Sequence, residues 1–236
     1  MKNVAIIPAR GGSKRIIGKN IRLFHNKPII SWVINLALAC NCFEKIIVST
    51  DCNKTAELGK SLGAEVPFLR PERISDDHTS VIEVIRHAIE FFQSKDEFYE
   101  LVTLIYPTAP LTNVSDLKKA IRLIGEYDFS MSVALYPYPI QRALFVEDKS
   151  NTIQMLEKNN FMKRSQDLKD CYHDAGQFIV GKTNSWLKKK PIVEGKTLPI
   201  TVPRLRVQDI DDEEDWNEAE LKFSLIKDEF EERNLT

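Results

Sequence analysis

Short apolar runs alternate with helix-forming segments along most of the chain, and this alternation constrains the fold more than any single motif. The runs "VAIIP", "KIIVSTD", "LVTLIYPTAPL" and "SMSVALYPYP" have the length and composition of buried strands. Between or after them, "IISWVINLALAC", "NKTAELGKSLGAE", "SVIEVIRHAIEFF" and "SDLKKAIRLIGEY" indicate helices, with Asn53 and Ser115 as expected caps of the second and fourth. This order predicts an α/β fold, with a mainly parallel mixed sheet and helices on both of its faces.

Length, charge and cysteine usage exclude several classes of protein. The chain has 236 residues and a formal net charge of −1, so it presents no bulk positive field to nucleic acid or an anionic membrane. Its N-terminal apolar run is too short for a signal peptide, and residues 29–42 are too few to span a bilayer. The four cysteines form no C-x-x-C pair, which favours reduced thiols over a zinc site. We expect a cytoplasmic protein with a single domain over residues 1–236 and neither nucleic acid nor membrane as a partner.

Polar, functional-looking segments follow three of the expected strands. A glycine-containing loop follows Pro8, "STD" follows Val48, and "YPTAPL" follows Ile105. In parallel sheets ligands bind beyond the carboxyl ends of the strands, where such segments converge. The sequence therefore predicts a ligand site at this edge of the sheet.

The loop after the first strand, "ARGGSKRIIGKN" (residues 9–20, here called the glycine loop), concentrates positive charge. Its cations are Arg10, Lys14, Arg15 and Lys19. It is not a P-loop, because Gly12 and Gly18 have the wrong spacing and Asn20 stands where Ser or Thr is needed. It also lacks the dinucleotide-binding fingerprint G-x-G-x-x-G. A strand–loop–helix turn with paired glycines still lets backbone N–H groups approach a phosphate. We expect an anion site here rather than a solvated surface loop.

Two carboxylates near the C-terminus, Asp209 and Asp211, are the candidate metal ligands. They stand two apart in "RVQDIDDEEDW", in what reads as the end of a strand, so their side chains are expected on one face. Magnesium prefers oxygen ligands and often takes only one or two carboxylates beside phosphate oxygens. An acidic first turn of a helix is the alternative interpretation, and we prefer it for residues 212–215.

Several motifs together resemble the acylneuraminate cytidylyltransferase family, which activates nine-carbon keto-sugar acids. They are "IIPARGGSKRIIGKN", "KPIISWVI", "VSTD", "EVPFLRPERISDD", "PTAPL" and "RVQDIDDEEDW", and they extend over most of the chain. Within the family, "PYPIQRAL" and "RSQDLKDCYHDAGQF" are most similar to the members acting on pseudaminic acid. The resemblance implies a Rossmann-like nucleotide-diphospho-sugar transferase fold and a reaction, with Mg²⁺ as cofactor, between CTP and a 2-keto-3-deoxy nonulosonic acid. The products are the CMP-sugar and pyrophosphate.

The resemblance also implies roles for individual residues on the nucleotide side of the site. For the triphosphate we expect Arg10, Lys14 and Lys19 with the backbone of Ala9, Gly11, Gly12 and Ser13, whereas Arg15 could equally be solvated. For the cytosine base the family pattern selects Asn20 and Arg70, with a hydroxyl from Thr79 or Ser80. A surface cation is the alternative for Arg70. The metal falls on Asp209 and Asp211, so the expected catalytic residues are Arg10, Lys14, Lys19, Asp209 and Asp211.

For the sugar acid, the resemblance implies a carboxylate-binding arginine and a polar pocket. The candidates are Tyr106, Gln141, Arg142, Arg164, Tyr172, His173, Asp174 and Gln177. Family members acting on N-acetylneuraminic acid usually carry Gln before the "PTSP" motif, whereas this chain has Tyr106, which favours a diamino sugar such as pseudaminic acid. His173 could assist deprotonation, although a structural hydrogen bond is the more common role for a lone histidine.

The alternation of strands and helices stops between residues 136 and 160 (here called the arm), where short β-like segments suggest a hairpin. As in the resembled family, we expect the arm to cross to a second copy in a homodimer.

N-acetylneuraminic, legionaminic and ketodeoxyoctonic acids remain alternative sugars for the same chemistry. A non-catalytic nucleotide-binding module is the alternative of another class, and a dinucleotide-binding protein is disfavoured by the missing glycine fingerprint.

Overall fold

A six-stranded sheet forms the centre of the structure, a computed structural model that describes residues 1–233. The strands are β1 Asn3–Pro8, β2 Leu23–Phe24, β3 Lys27–Pro28, β4 Lys45–Ser49, β5 Leu101–Ile105, β6 Phe129–Leu135, β7 Leu144–Glu147, β8 Thr152–Met155, β9 Tyr172–Lys182 and β10 Thr197–Thr201. The helices are α1 Ile29–Cys40, α2 Asn53–Ser61, α3 Val81–Gln93, α4 Val114–Leu123, α5 Thr183–Leu187 and α6 Glu213–Arg233.

The sheet order is β10-β6-β9-β5-β1-β4, and every strand except β9 runs parallel to β1. The predicted α/β class and mainly parallel sheet are therefore confirmed. In β1, Ala5 and Ile7 pack under α1 and α4, whereas Val4 and Ile6 pack under α3 and α5. This alternation follows from the two-residue period of a strand, and it explains why both faces of β1 are apolar.

Strand β9 was not identified from the sequence. Its eleven residues lie antiparallel between β5 and β6, and a large bulge interrupts its pairing with β6. Met131 pairs with Ile179 and Val133 with Asp174, so the four residues 175–178 stand opposite one residue of β6. Gly176 in this bulge has φ +63°, a conformation that glycine adopts without strain. Bulges of this kind redirect side chains near functional sites.

Two predicted helix caps were wrong. Asn53 is the first residue of α2 and Cys52 precedes it, with no hydrogen bond from a capping side chain. Helix α4 is capped by Asn113, whose Oδ1 accepts the Ser115 N–H at 2.9 Å. An asparagine oxygen reaches the N–H group two residues ahead, so Asn113 rather than Ser115 occupies the capping position.

The strand predicted to carry Asp209 and Asp211 was also wrong. A 3-10 turn, Arg204–Arg206, follows β10, and residues 207–212 have no regular structure before α6 begins. This segment forms no ladder with the sheet because α6 packs its apolar face on Phe24, Ile29 and Leu111 and draws Ile210 into the same cluster. The spacing of the two carboxylates is therefore set by an irregular turn.

The arm contains the predicted hairpin. Strands β7 and β8 pair antiparallel from Leu144 with Met155 to Glu147 with Thr152. Apolar side chains there are exposed, including Leu144 at 60% and Ile153 at 69%. Among the described helices, none combines the length and apolar character needed to cross a membrane.

Candidate active site

A cleft of about 270 Å³ lies beyond the carboxyl ends of β1 and β5. It brings together these residues from the predicted set: Arg10, Ser13, Lys19, Asn20, Arg70, Thr79, Tyr106 and Asp209. Its remaining lining residues are Pro8, Ile74, Asp76, Asp77, Val81, Val84, Pro107 and Thr108. The cleft has the expected place for a ligand in a parallel sheet, and its wall is cationic on the glycine-loop side.

Backbone contacts with the end of β4 hold the start of the glycine loop. The N–H of Ala9 donates to the Ser49 carbonyl at 2.8 Å, and the N–H of Gly11 donates to Asp51 Oδ1 at 2.7 Å. A Cβ atom on Gly11 would lie 2.8 Å from Cβ of Cys52, whereas one on Gly12 would meet nothing within 4 Å. Gly11 is thus required for close packing, and Asp51 positions the loop.

Asn20 and Lys19 tie the end of the same loop to the rest of the cleft. The Asn20 side-chain amide donates to the Arg10 carbonyl at 2.8 Å. The Lys19 ammonium donates to the Ile210 carbonyl at 2.5 Å and lies 4.0 Å from Asp211 Oδ1. Burial lowers the pKa of Lys19, and the carboxylates of Asp211 and Asp209 oppose that shift. The lysine therefore joins the glycine loop to the acidic segment.

Asp77 is a cleft residue that sequence reasoning missed. Its Oδ1 lies 2.5 Å from Arg10 Nη1 and its Oδ2 lies 2.5 Å from Lys14 Nζ. These contacts with Lys14 and Arg10 lower the pKa of the Asp77 carboxyl to about 2. The acidic "SDDHT" stretch was the available signal, but only the fold shows that it faces the glycine loop.

Asp209 and Asp211 lie beside this cationic wall. Asp211 Oδ1 accepts a hydrogen bond from Arg15 Nη2 at 2.7 Å, so Arg15 has an ionic partner although its side chain remains 67% exposed. The pKa of Asp209 is raised, first because the surrounding cleft wall shields its carboxyl and second because Asp211 is near. The residue as a whole remains solvent-exposed, so this effect is modest. Among the described residues, no cluster of three or more His, Cys, Asp or Glu could hold a metal by itself.

Arg70 is buried, which makes its interpretation as a surface cation wrong. It is 5% exposed, and its N–H donates to the Thr50 carbonyl at 2.7 Å. Its Nε and Nη2 atoms have no hydrogen-bond partner among the described residues, and burial lowers its pKa. Thr79 lines the cleft, and its hydroxyl donates a hydrogen bond to Asp76 Oδ1 at 2.7 Å. Ser80 caps α3 and does not line the cleft. A buried cation with unused donors marks this part of the cleft for a ligand with acceptor atoms.

A second, wider cleft of about 710 Å³ adjoins the first and shares Asp209 with it. Its lining residues are Pro137, His173, Arg204, Leu205, Val207, Gln208, Asp209, Asp211, Asp215 and Lys222. His173 Nδ1 lies 2.8 Å from the Asp174 carbonyl, and its ring lies against Tyr136 at 4.9 Å. Asp174 Oδ1 in turn accepts the Gly176 N–H at 2.8 Å, which stabilises the β9 bulge.

Tyr106 and Gln177 lie where β5 meets the bulge of β9. The Tyr106 N–H donates to the Gln177 carbonyl at 2.9 Å. Burial, and then the carboxylates of Asp174 and Asp209, raise the pKa of the Tyr106 phenol to about 12. The Gln177 side chain donates to the Arg206 carbonyl, and its Oε1 has no partner among the described residues.

The other predicted sugar-binding residues are not brought into either cleft. Arg142 and Arg164 lie in or near the arm, with Arg164 exposed, and Tyr172 is 48% exposed at the start of β9. The Gln141 side chain donates to the Lys169 carbonyl at 2.8 Å, while its Oε1 has no partner in the part of the chain that the structure describes. Their roles stay predictions.

Comparison with known proteins decides the family. A family model described as cytidylyltransferase matches residues 4–208. The chain belongs to the cytidylyltransferase family. A pseudaminic acid cytidylyltransferase of Campylobacter jejuni (serotype O:2) is 38% identical over 227 residues, which cover 95% of this chain and 97% of that protein. The N-acylneuraminate cytidylyltransferase of Escherichia coli O18:K1:H7 is 30% identical over 92% of this chain and 51% of that protein.

Solved structures of other cytidylyltransferases share the fold of this one. A CMP-2-keto-3-deoxy-manno-octonic acid synthetase complexed with CTP superimposes with a TM-score of 0.67, at 14% identity over 97% of this chain and 100% of that chain. A 4-diphosphocytidyl-2C-methyl-D-erythritol synthase gives 0.65 at 11% identity, covering 94% and 98% of the two chains. At these identities the likeness establishes the nucleotidyltransferase fold alone.

Proposed function

We propose that this cytidylyltransferase couples CTP to pseudaminic acid, giving CMP-pseudaminic acid and pyrophosphate. The observation that carries the proposal is the cleft in which Arg10 and Lys19 face the buried, partly unpartnered guanidinium of Arg70. Phosphates and an acceptor-rich base are the ligand groups that such a cleft suits. The identity with pseudaminic acid cytidylyltransferases over 95% of the chain supports the choice of sugar.

In the proposed reaction, the anomeric hydroxyl oxygen of the sugar bonds to the α-phosphorus of CTP. The bond between that phosphorus and the oxygen bridging to the β-phosphate breaks, pyrophosphate leaves with the electron pair, and the hydroxyl proton is released. Negative charge grows on the leaving group, and Arg10 and Lys19, which line the cleft, would stabilise it together with Lys14, which contacts the cleft residue Asp77. Such fixed cations act chiefly by positioning and electrostatics.

The cytosine base would lie against Arg70, Asn20 and Thr79. Arg70 offers Nε and Nη2 to the acceptor atoms of cytosine. Because the Asn20 amide nitrogen is bonded to Arg10, its Oδ1 is the atom available to accept from the exocyclic amine of the base. The neighbouring apolar side chains Ile74 and Val84 exclude water beside the ring.

Asp209 and Asp211 would hold the proposed Mg²⁺. Their carboxylates suit a hard cation, and two carboxylates suffice when phosphate oxygens complete the coordination. A bound Mg²⁺ supplies positive charge next to the phosphates. Arg15 holds Oδ1 of Asp211 at 2.7 Å and so orients the carboxylate that would hold the cation.

The sugar would occupy the wider cleft, which shares Asp209 with the nucleotide cleft and is bordered by His173. Tyr106 lines the adjoining nucleotide cleft. Its phenol remains protonated at neutral pH and would act as a donor or acceptor toward the part of the sugar that reaches into that cleft. Legionaminic acid is the second candidate, since the CMP-N,N'-diacetyllegionaminic acid synthase of Legionella pneumophila is 40% identical over 123 residues. That match covers 52% of this chain, against 95% for the pseudaminic acid relative.

We further propose a cytoplasmic homodimer in which the arm crosses to the partner copy. Exposed apolar side chains on the hairpin, Leu144 and Ile153 among them, support this assembly. It also offers a place for Arg142 and Arg164, which do not line the clefts of their own chain, near the sugar carboxylate.

The decisive experiment is pyrophosphate release by the purified protein with CTP and Mg²⁺. Pseudaminic, legionaminic, N-acetylneuraminic and ketodeoxyoctonic acids are offered separately, and pseudaminic acid is expected to give the highest kcat/KM. Asp209→Asn should abolish turnover, while Asp212→Asn, a matched change that keeps the cap of α6, should not. Preference for another acid would overturn the sugar assignment, and CTP binding without turnover on any acid would favour a non-catalytic module.

A further inference from the structure

The carboxylate of Asp77 lies between two cations of the glycine loop. One oxygen contacts Arg10 and the other contacts Lys14, so a single side chain neutralises two of the three cations assigned to the triphosphate. Arg10 and Asp77 both line the cleft that the proposed function gives to the nucleotide, whereas Lys14 is not one of its lining residues. In the free protein, an internal anion therefore occupies cations that the phosphates require.

A rigid turn presents this carboxylate. Oδ1 of the preceding residue, Asp76, accepts the N–H of His78 at 3.0 Å, and it accepts both the N–H and the hydroxyl of Thr79 at 2.7 Å. The turn leads directly into Ser80, the cap of α3. Asp77 consequently projects from a shaped segment that is anchored at both ends and not from a loose loop.

We propose that Asp77 is an internal competitor for the phosphate site, which the β- and γ-phosphates displace and which reoccupies Arg10 and Lys14 as pyrophosphate departs. This inference rests on the proposed function. It assigns Asp77 a positioning role that lowers the affinity for CTP and pyrophosphate together and favours release of the pyrophosphate product.

The strengths of the contacts fit a competitor that can be displaced. Lys14 is 81% exposed and the Asp77 side chain 33% exposed, and ion pairs in such positions are weak. A triphosphate or pyrophosphate carries several negative charges, whereas the carboxylate carries one. The bound polyphosphate therefore displaces the carboxylate from Arg10 and Lys14. The carboxylate stays ionised across the physiological range, because its pKa lies near 2. CMP lacks the displacing phosphates and should not compete with Asp77.

The test compares wild-type protein with Asp77→Asn by isothermal titration calorimetry, using CTP, inorganic pyrophosphate and CMP as probes without sugar. Glu72→Gln is the matched control, because Glu72 is an exposed acid of the same connection between Arg70 and α3 and does not line the cleft. Asp77→Asn should bind CTP and pyrophosphate about 3- to 10-fold more tightly, the range expected on removing two exposed ion pairs. CMP affinity should change less than about 2-fold, and Glu72→Gln should match wild type for all three probes.

Different failures are distinguishable. Weaker CTP binding by Asp77→Asn would overturn the competitor role and assign Asp77 to the bound state. If Asp77→Asn gained as much affinity for CMP, or if Glu72→Gln gained as much affinity for CTP and pyrophosphate, the effect would be one of net charge. Either result would also overturn the competitor role. Wild-type protein that binds neither CTP nor pyrophosphate would overturn the proposed function itself. Tighter pyrophosphate binding should also appear as slower product release in single-turnover measurements with the accepted sugar acid.

Discussion

The backbone N–H of Gly11 donates a 2.7 Å hydrogen bond to Oδ1 of Asp51, which joins the glycine loop to the end of β4. The same contact brings Gly11 against Cys52 so closely that no side chain fits between them. The loop's position is therefore fixed by a neighbouring strand and not by its own glycine content. Gly12, which has open space around its Cα, is not constrained in this way.

Replacing Gly11 with alanine should impair catalysis far more than replacing Gly12. A Cβ at position 11 must displace the loop by a fraction of an ångström to clear Cys52, and misplacement of that order can cost about 100-fold in rate. We expect kcat/KM for CTP to fall by about 10- to 100-fold in Gly11→Ala and by less than about 3-fold in Gly12→Ala. Equal effects of the two substitutions in steady-state kinetics would contradict the packing argument.

Arg70→Met should raise stability while it weakens nucleotide binding. The substitution removes a buried guanidinium with donors that lack partners among the described residues, and relief of about 1 kcal/mol would raise Tm by about 2–4 °C. Loss of charged hydrogen bonds should weaken CTP binding by about 10- to 100-fold. Scanning calorimetry measures the expected rise in Tm, and CTP titration measures the expected loss of affinity. Arg73→Met, at an exposed position in the same segment, is the control and should change neither value appreciably.

Tyr106 should destabilise the protein specifically at alkaline pH. The pKa of Tyr106 is about 12 in the folded state, above the ordinary value of about 10 for a tyrosine phenol, so the folded state holds a proton that the unfolded state has lost between these values. The stabilising contribution is complete below pH 10 and is lost as pH rises through about 12. It amounts to at most about 3 kcal/mol, at about 1.4 kcal/mol per pKa unit.

The measurement is urea unfolding of wild-type protein and Tyr106→Phe at several pH values. The difference in unfolding free energy between them should be constant from pH 7 to about 9.5 and should shift in favour of the variant above pH 10. A parallel dependence on pH in both proteins would contradict the burial of the phenol.

Cys52 should react with iodoacetamide before Cys40 does. Hydrogen bonding from the Thr55 backbone lowers the pKa of the Cys52 thiol, whereas burial raises that of Cys40. Peptide mass spectrometry at pH 7.5 should show alkylation at Cys52 about 5-fold faster or more. Because Cys52 packs under Gly11, modification should also reduce activity, and Cys52→Ser should be protected from that loss. Equal labelling of the two cysteines would contradict the assignment.

Local patterns predicted the elements whose burial is visible in the sequence. The apolar runs became β1, β4, β5 and β6 because strands covered on both faces need continuous apolar residues. The helices α1 to α4 followed from their periodicity, and the hairpin in the arm from its short β-like segments. Arg10 and Tyr106 were predictable as cleft residues because they follow the carboxyl ends of these strands.

Features that depend on contacts between distant segments were missed or misjudged. Strand β9 carries polar residues at its start and a bulge in its middle, so it has no simple strand pattern. Asp209 and Asp211 look like strand residues, but the packing of Ile210 with α6 takes that segment away from the sheet. The sequence left open whether Arg15 binds phosphate or is solvated, and it gave no sign of the ion pair with Asp211, which lies far along the chain.

The sequence by itself determined the α/β class, the edge of the sheet at which the cleft lies, and the cationic character of the loop there. These depend on residue type and short-range periodicity. Only the tertiary structure decided that Asp77 faces Arg10 and Lys14, that Asp51 fixes Gly11, and that the β9 bulge places Tyr106 near Asp174 and Asp209. Each of these contacts joins segments tens of residues apart, and their geometry follows from how strands and helices pack, which local sequence patterns do not encode.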